Sequence, residues 1–184
     1  INSADLESQD SITLSFDLSE KQAEALNKLD LKSIQVNKDF ERNYFDAEIF
    51  SHLIGYVGFA DKNDVEKDNL LSLNDSIGKN GLEKYYDKEL RGEKGQIIYY
   101  RNAKGEIIDD KFLKSPQNGY GLQTTIDKEF QDFFYGQLKK RSGEIGSSKG
   151  VGIAIYPQNG EILSLISLPS FNNNKIVKKD LIDS

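Results

Sequence analysis

A serine lies three residues before a lysine in Ser76-Ile-Gly-Lys79, the one bare nucleophile pattern in the chain. Serine acyltransferases use S-x-x-K because the lysine, one helical turn later, takes the proton of the serine. That geometry needs a helix, and Gly78 and Gly81 interrupt one here. Ser76 and Lys79 therefore read as loop and cap. His52 is the single histidine and there is no Cys, so neither a His-rich metal site nor a thiolate nucleophile can be assembled. Carboxylate pairs such as Asp109-Asp110, and Glu66 with Asp68, lie in polar stretches with no apolar frame to raise a pKa. Tyr85-Tyr86 and Tyr99-Tyr100 invite sugar stacking, but adjacent side chains point in different directions, so each pair offers one ring to a face. These residues specify no cofactor, no metal and no catalytic group.

Composition narrows the classes further. At 184 residues the chain holds one domain or one and a fraction, taking about 150 residues per domain. Its 24 Lys+Arg against 30 Asp+Glu leave a net charge of -6, which argues against a nucleic-acid partner. No apolar run approaches the roughly 20 residues that span a bilayer, so any membrane anchor is expected outside these residues. The opening at Ile1, without Met, reads as a fragment.

The elements expected to position these residues form an α+β pattern. Ile12, Leu14 and Phe16 alternate as a strand, and Ser19 with Gln22 caps a helix running to Leu29. A short strand is expected over residues 31–36, and a helix from Asp46 closed by Gly55, followed by an extended Tyr56-Val57-Gly58. Residues 60–75 read as a surface excursion, and Leu82, Tyr85, Tyr86 and Leu90 as a helix ended by Gly92. Residues 96–101 and 106–112 predict a hairpin. Residues 122–126 predict a strand leading into a helix capped by Asp127, with Phe130, Phe133, Phe134 and Leu138 as its buried stripe. The cluster Lys139-Lys140-Arg141 suits the negative end of that helix. A second, strongly apolar hairpin over 151–156 and 161–167 is expected to turn tightly at Asn159-Gly160, and the polar residues after Pro169 read as surface. This last helix and hairpin lack a covering layer.

Several strings in order resemble the N-terminal half of class B penicillin-binding proteins, nearest the elongation-type subgroup. Arg42-Asn-Tyr44 and His52-Leu-Ile-Gly-Tyr-Val-Gly58 resemble the R-x-Y-P and H-x-x-G-Y-v-G stretches. Ile77-Gly-Lys-Asn-Gly-Leu-Glu83, Tyr86-Asp87 and Leu90-Arg-Gly92 resemble i-G-x-s-G-L-E, y-d and L-r-G. Gly119, Thr125-Ile-Asp127 and Gln131 resemble the entry into the transpeptidase domain, and Gly160-Glu-Ile-Leu163 with Ser167-Leu-Pro-Ser-Phe171 and Asn174 its first hairpin. Phe45, Ser164 and Asn172-Asn173 depart from the usual Pro, Ala and Asp-Pro.

The resemblance implies an α+β pedestal, or dimerisation domain, over residues 1–118, the first strand, helix and hairpin of a truncated transpeptidase domain over 119–174, and a polar tail over 175–184. It implies no catalysis by these residues, since Ser76 and Lys79 fall inside the G-L-E segment, the family's own nucleophile motif is expected after Ser184, and the S-x-N and K-T-G elements have no counterpart. The alternatives are a stand-alone extracytoplasmic binding module with a pedestal-like fold and, behind it, a serine acyltransferase using Ser76 and Lys79. Arg42, Tyr44, His52, Gly55, Tyr56, Gly58, Gly78, Gly81, Leu82, Glu83, Arg91, Gly92, Thr125, Asp127, Gln131, Gly160 and Pro169 become structural motif positions, with Arg42 and Glu83 paired as a brace. The implied setting is extracytoplasmic, in a parent held by one N-terminal helix. The implied partners are a SEDS-type glycosyltransferase, cell-shape proteins and a possible homodimer.

Overall fold

The computed structural model describes residues 18–29, 31, 34, 36, 41–73, 75–103 and 107–177. The chain divides into two compact units, residues 1–41 and 42–184. In the first, helix α1 (Glu20–Lys28) starts at the expected capping box: Ser19 accepts from the Gln22 backbone, and the Gln22 side chain accepts from that of Ser19. The expected strand over 11–16 lies outside the described residues. Of the expected 31–36 strand, only residues 31, 34 and 36 are described, none of them in a strand, and Ile34 N–H donates to the Leu31 carbonyl at 2.9 Å.

Among its described residues, the second unit is built from helices of 4 to 17 residues and three separate two-stranded antiparallel sheets, a mixed α+β fold. Helix α2 spans only Ser51–Ile54, because residues 45–49 form turns, with Asp46 at a φ of 50°, in place of the helix expected from Asp46. Strand β1 (Val57–Phe59) pairs with β2 (Ser76–Gly78). Between them, helix α3 (Lys62–Lys67) is set by an Asp61/Asp64 capping box, so the excursion is structured, and Ala60, Leu71 and Ile77 bury a small core beneath it. The single helix expected over 82–90 is two, α4 (Gly81–Tyr85) and α5 (Asp87–Arg91), broken at Tyr86 and closed by Gly92 at a φ of 75°.

Strands β3 (Gln96–Arg101) and β4 (Ile107–Lys114) form the expected hairpin, clamped at its base by a two-way Glu93–Gln117 bridge. No strand forms over 122–126. That segment makes single bonds to the next hairpin, with Thr125 Oγ1 donating to the Ile162 carbonyl (2.8 Å) and Asp127 N–H to that of Leu163 (2.9 Å). Asp127 caps α6 (Lys128–Glu144) by accepting from Phe130 N–H at 2.9 Å.

The buried face of α6 takes in only half of the expected apolar stripe, Phe134 and Leu138. Gln131, Tyr135 and Ser142 are buried, Phe134 and Leu138 pack beside them, and Phe133 is 63 % exposed. The helix turns this side onto β5 (Gly150–Ile155) and β6 (Ile162–Leu168), where Gly152 leaves room for the Phe134 ring. The β5–β6 turn is not the tight two-residue kind, since Gly160 alone carries positive φ and the register shifts at Ala154/Ile155. Residues 173–177 add a helical turn where a polar surface was expected, and Val177 joins Tyr44, Ala47 and Val57 in a core.

Candidate functional site

Two adjoining features gather most of the motif positions. The first is a charged clasp over closely approaching backbones. The Arg42 guanidinium grips Glu83 with both carboxylate oxygens engaged, Nε to Oε1 at 2.9 Å and Nη2 to Oε2 at 3.1 Å. Glu83 is 6 % exposed, at the centre of α4. Burial pushes its carboxyl above the ordinary carboxylate value, against the opposing pull of Arg42 and of the Tyr44 hydrogen bond. The Tyr44 hydroxyl also accepts from Val57 N–H at 3.0 Å, and burial first, then the charge of Glu83, drive its pKa up.

Backbones meet beside this clasp. A methyl group on Gly55 would fall 1.9 Å from the Asn80 carbonyl oxygen, and one on Gly78 at 1.9 Å from that of Glu83. Both positions therefore require glycine for close approach. Gly81 answers Gly55 from the other side, and Gly92 approaches Gln117 and Gly119 in the same manner. Tyr56 packs on the Tyr44 core, Gly58 lies buried in β1, and Leu82 accepts the helix-closing bond from Tyr86 N–H.

The second feature is a seam of side-chain amides that joins residues 44–55 to α6, β6 and 169–177. The Gln131 Nε2 donates to the Ile49 carbonyl (3.1 Å) and the Leu165 carbonyl (2.9 Å). Its Oε1 accepts from Leu165 N–H (2.9 Å) and Ser164 Oγ (2.5 Å). Asn174 pairs both ways with the Tyr44 peptide, accepting from its N–H and donating to its carbonyl, each at 2.9 Å. Asn173, fully buried, donates to the carbonyls of Ser51 (3.2 Å) and Gly55. The Oδ1 atoms of Asn172 and Asn173 are buried and accept no hydrogen bond from the described residues. His52 Nε2 lies 3.0 Å from the Pro169 carbonyl and its ring meets Phe171 edge-on at 4.8 Å.

The remaining positions lie apart. Ser76 is exposed on β2 and Lys79 follows that strand, so they share no helical face; Lys79 Nζ instead binds Asp64 Oδ2 at 2.6 Å. Arg91 binds Asp68 at 3.0 Å and Asp87 at 3.3 Å. Hydrogen bonds from Asp61 N–H to Asp64 and from Leu70 N–H to Asp68, followed by those from Lys79 and Arg91, hold both carboxyls below the ordinary value. Gly160 stands at the hairpin turn with open space about it. Sequence reasoning missed Asn173 as a seam residue, and Ser164 entered only as a departure from Ala. The spacing of Gln131, Tyr135, Leu138 and Ser142 is a helical stripe that could have flagged the buried face. Among the described residues no three His, Cys, Asp or Glu side chains group as metal ligands, and no helix is long and apolar enough to cross a membrane.

Glycine contacts, a bidentate clasp and a buried amide seam hold the described elements between residues 42 and 177 in register. The chain belongs to the penicillin-binding protein dimerisation-domain family, matched over residues 3–124. It is 31 % identical over 157 residues to stage V sporulation protein D of Bacillus subtilis, covering 84 % of this chain and 22 % of that protein. It is 30 % identical over 175 residues to the peptidoglycan D,D-transpeptidase MrdA of Haemophilus influenzae, covering 90 % and 26 %. A solved complex between penicillin-binding protein PBP2 and MreC from Helicobacter pylori matches with a TM-score of 0.60 at 29 % identity, over 73 % of this chain and 24 % of that one. The chain thus spans about a quarter of the length of the relatives it matches. These likenesses place it among the pedestal regions of class B penicillin-binding proteins.

Proposed function

We propose that this chain is the pedestal that positions a peptidoglycan D,D-transpeptidase outside the cytoplasmic membrane, acting through shape and contact and catalysing nothing by itself. The observation that carries this reading is the amide seam. It ties residues 44–55 to a helix and hairpin whose outward side remains apolar and bare, with Val151, Ile153 and Ile155 each more than half exposed. Such a surface suits a further layer of the parent protein, in which the boundary near residues 118 and 119 separates pedestal from transpeptidase domain.

On this reading the module presents the catalytic region to nascent glycan in the elongation machinery. It contacts a cell-shape protein, as the PBP2 in complex with MreC does, and a SEDS-type glycosyltransferase. The parent is held to the membrane by an N-terminal helix. Two measurements test the reading together. A fluorescent β-lactam should leave the folded chain unlabelled, and a purified cell-shape protein of the MreC kind should bind it in titration calorimetry. Covalent labelling at Ser76 would overturn the reading, and so would failure of every pedestal partner to bind.

A further inference from the structure

Gln131 is fully buried, and every hydrogen-bonding position of its side chain is taken. An amide offers two N–H donors and two acceptor lone pairs. Here both donors go to carbonyls and both acceptor positions are filled, three of the four partners belonging to Ser164 and Leu165 of β6 and the fourth to Ile49, 82 residues earlier in the chain. Toward β6 the side chain imitates a neighbouring strand, since it accepts from the N–H of Leu165 and donates to the carbonyl of the same residue. Toward the pedestal it holds the Ile49 carbonyl within the turn that precedes α2. Ile49 itself packs on the Tyr135, Ile166 and Leu168 core, so the polar bond and the apolar contact join the same two regions. Lys128 adds an exposed tie from the start of α6 to Asp46 at 2.7 Å.

We infer that Gln131 is a positioning residue through which the pedestal core around Tyr44 sets the placement of strand β6. The inference rests on the pedestal reading above and deepens it by naming the element that receives the pedestal's position. A displacement of residues 44–50 cannot leave β6 unaffected while this amide is intact, because movement of either side leaves a buried donor or acceptor unpaired. Without the amide, the apolar contact of Ile49 and the exposed Lys128–Asp46 pair remain in that place, and both tolerate sliding that buried, directed hydrogen bonds do not.

Backbone hydrogen exchange on this chain, free of substrate and partner, tests the coupling. Tyr44→Phe removes the acceptor for Val57 N–H, far from β6 along the chain. It is expected to raise exchange at Leu165 and Ile166 at least tenfold relative to amides in the C-terminal half of α6. In a Gln131→Met background, the same substitution should change that ratio less than twofold. A purely structural Gln131 would lower protection everywhere and leave the response to Tyr44→Phe intact, which would overturn the inference. Should Gln131→Met fail to fold, the side-chain amide protons of Gln131 in the Tyr44→Phe chain give the same reading. Faster exchange of those protons supports the coupling, and no change refutes it. β-Lactam labelling would remove the pedestal reading while leaving these ratios untouched, so the two failures are distinguishable.

Discussion

A side chain at Gly55 has nowhere to go. Its Cβ would overlap the Asn80 carbonyl group, a backbone neighbour that cannot rotate aside, and the residue sits at a φ of 76°. Gly55→Ala is therefore expected to cost more than about 3 kcal/mol, in the range reserved for strain and core disruption. Gly136 is the opposite case, a helical glycine with nothing within 4 Å of an added Cβ. Gly136→Ala is expected to raise stability by about 0.5–1 kcal/mol through helix propensity. Urea unfolding of the two variants checks both signs. At Glu83 the folded-state pKa lies above the unfolded one, so its protonated form favours the fold. That contribution is full below the ordinary value of 4.5 and is lost as pH rises through the raised one. The stability of the wild type minus that of Glu83→Gln should accordingly fall as pH climbs from about 4 to 7. A difference that rises instead would show that Arg42 outweighs the cost of burying the charge.

Among the elements, α3 depends most on its local chemistry. Removing the reciprocal cap by Asp61→Ala should cost about 1 kcal/mol and expose the amides of residues 62–67, visible by hydrogen exchange. Asp64 and Asp68 have depressed pKa values, so what they contribute is present above the ordinary 3.8 and lost as acid protonates them. Amide shifts of Asp61 and Leu70 should follow those two protonations, at pH values below the ordinary carboxylate range. The sequence made elements of this local kind legible: α1 is set by Ser19 and Gln22, three residues apart, and both long hairpins by strand-like apolar runs on either side of a glycine-containing loop. The seam was not legible, because a polar residue on a helix ordinarily reads as solvent-facing. Only the assembled fold brings the Ile49 carbonyl to Gln131 across 82 residues, and Tyr44 to Asn174 across 130. Of the four expected stripe positions on α6, Phe134 and Leu138 do pack on the core, whereas Phe130 and Phe133 misled for a related reason. Apolar periodicity marked more of the α6 surface than the β5–β6 hairpin covers, leaving Phe133 outside.

For the molecule as a whole, the bare side of β5 is the property that most needs a partner layer. Ile153→Thr combined with Ile155→Thr should shift stability by less than about 0.5 kcal/mol per site, because both residues are already more than half exposed. The same pair should reduce binding of a hydrophobic dye and any concentration-dependent association, measured by sedimentation. A large loss of stability would mean that the hairpin is packed on that side in solution. The three amides at the joint, Gln131, Asn173 and Asn174, have a different consequence for the intact molecule. None carries a titratable proton or a net charge, so acidification and added salt, which loosen Lys79 from Asp64 and Arg91 from Asp68, find nothing there to neutralise or screen. A joint of this make keeps its grip through shifts of acidity and ionic strength, while the charged struts around it slacken and recover.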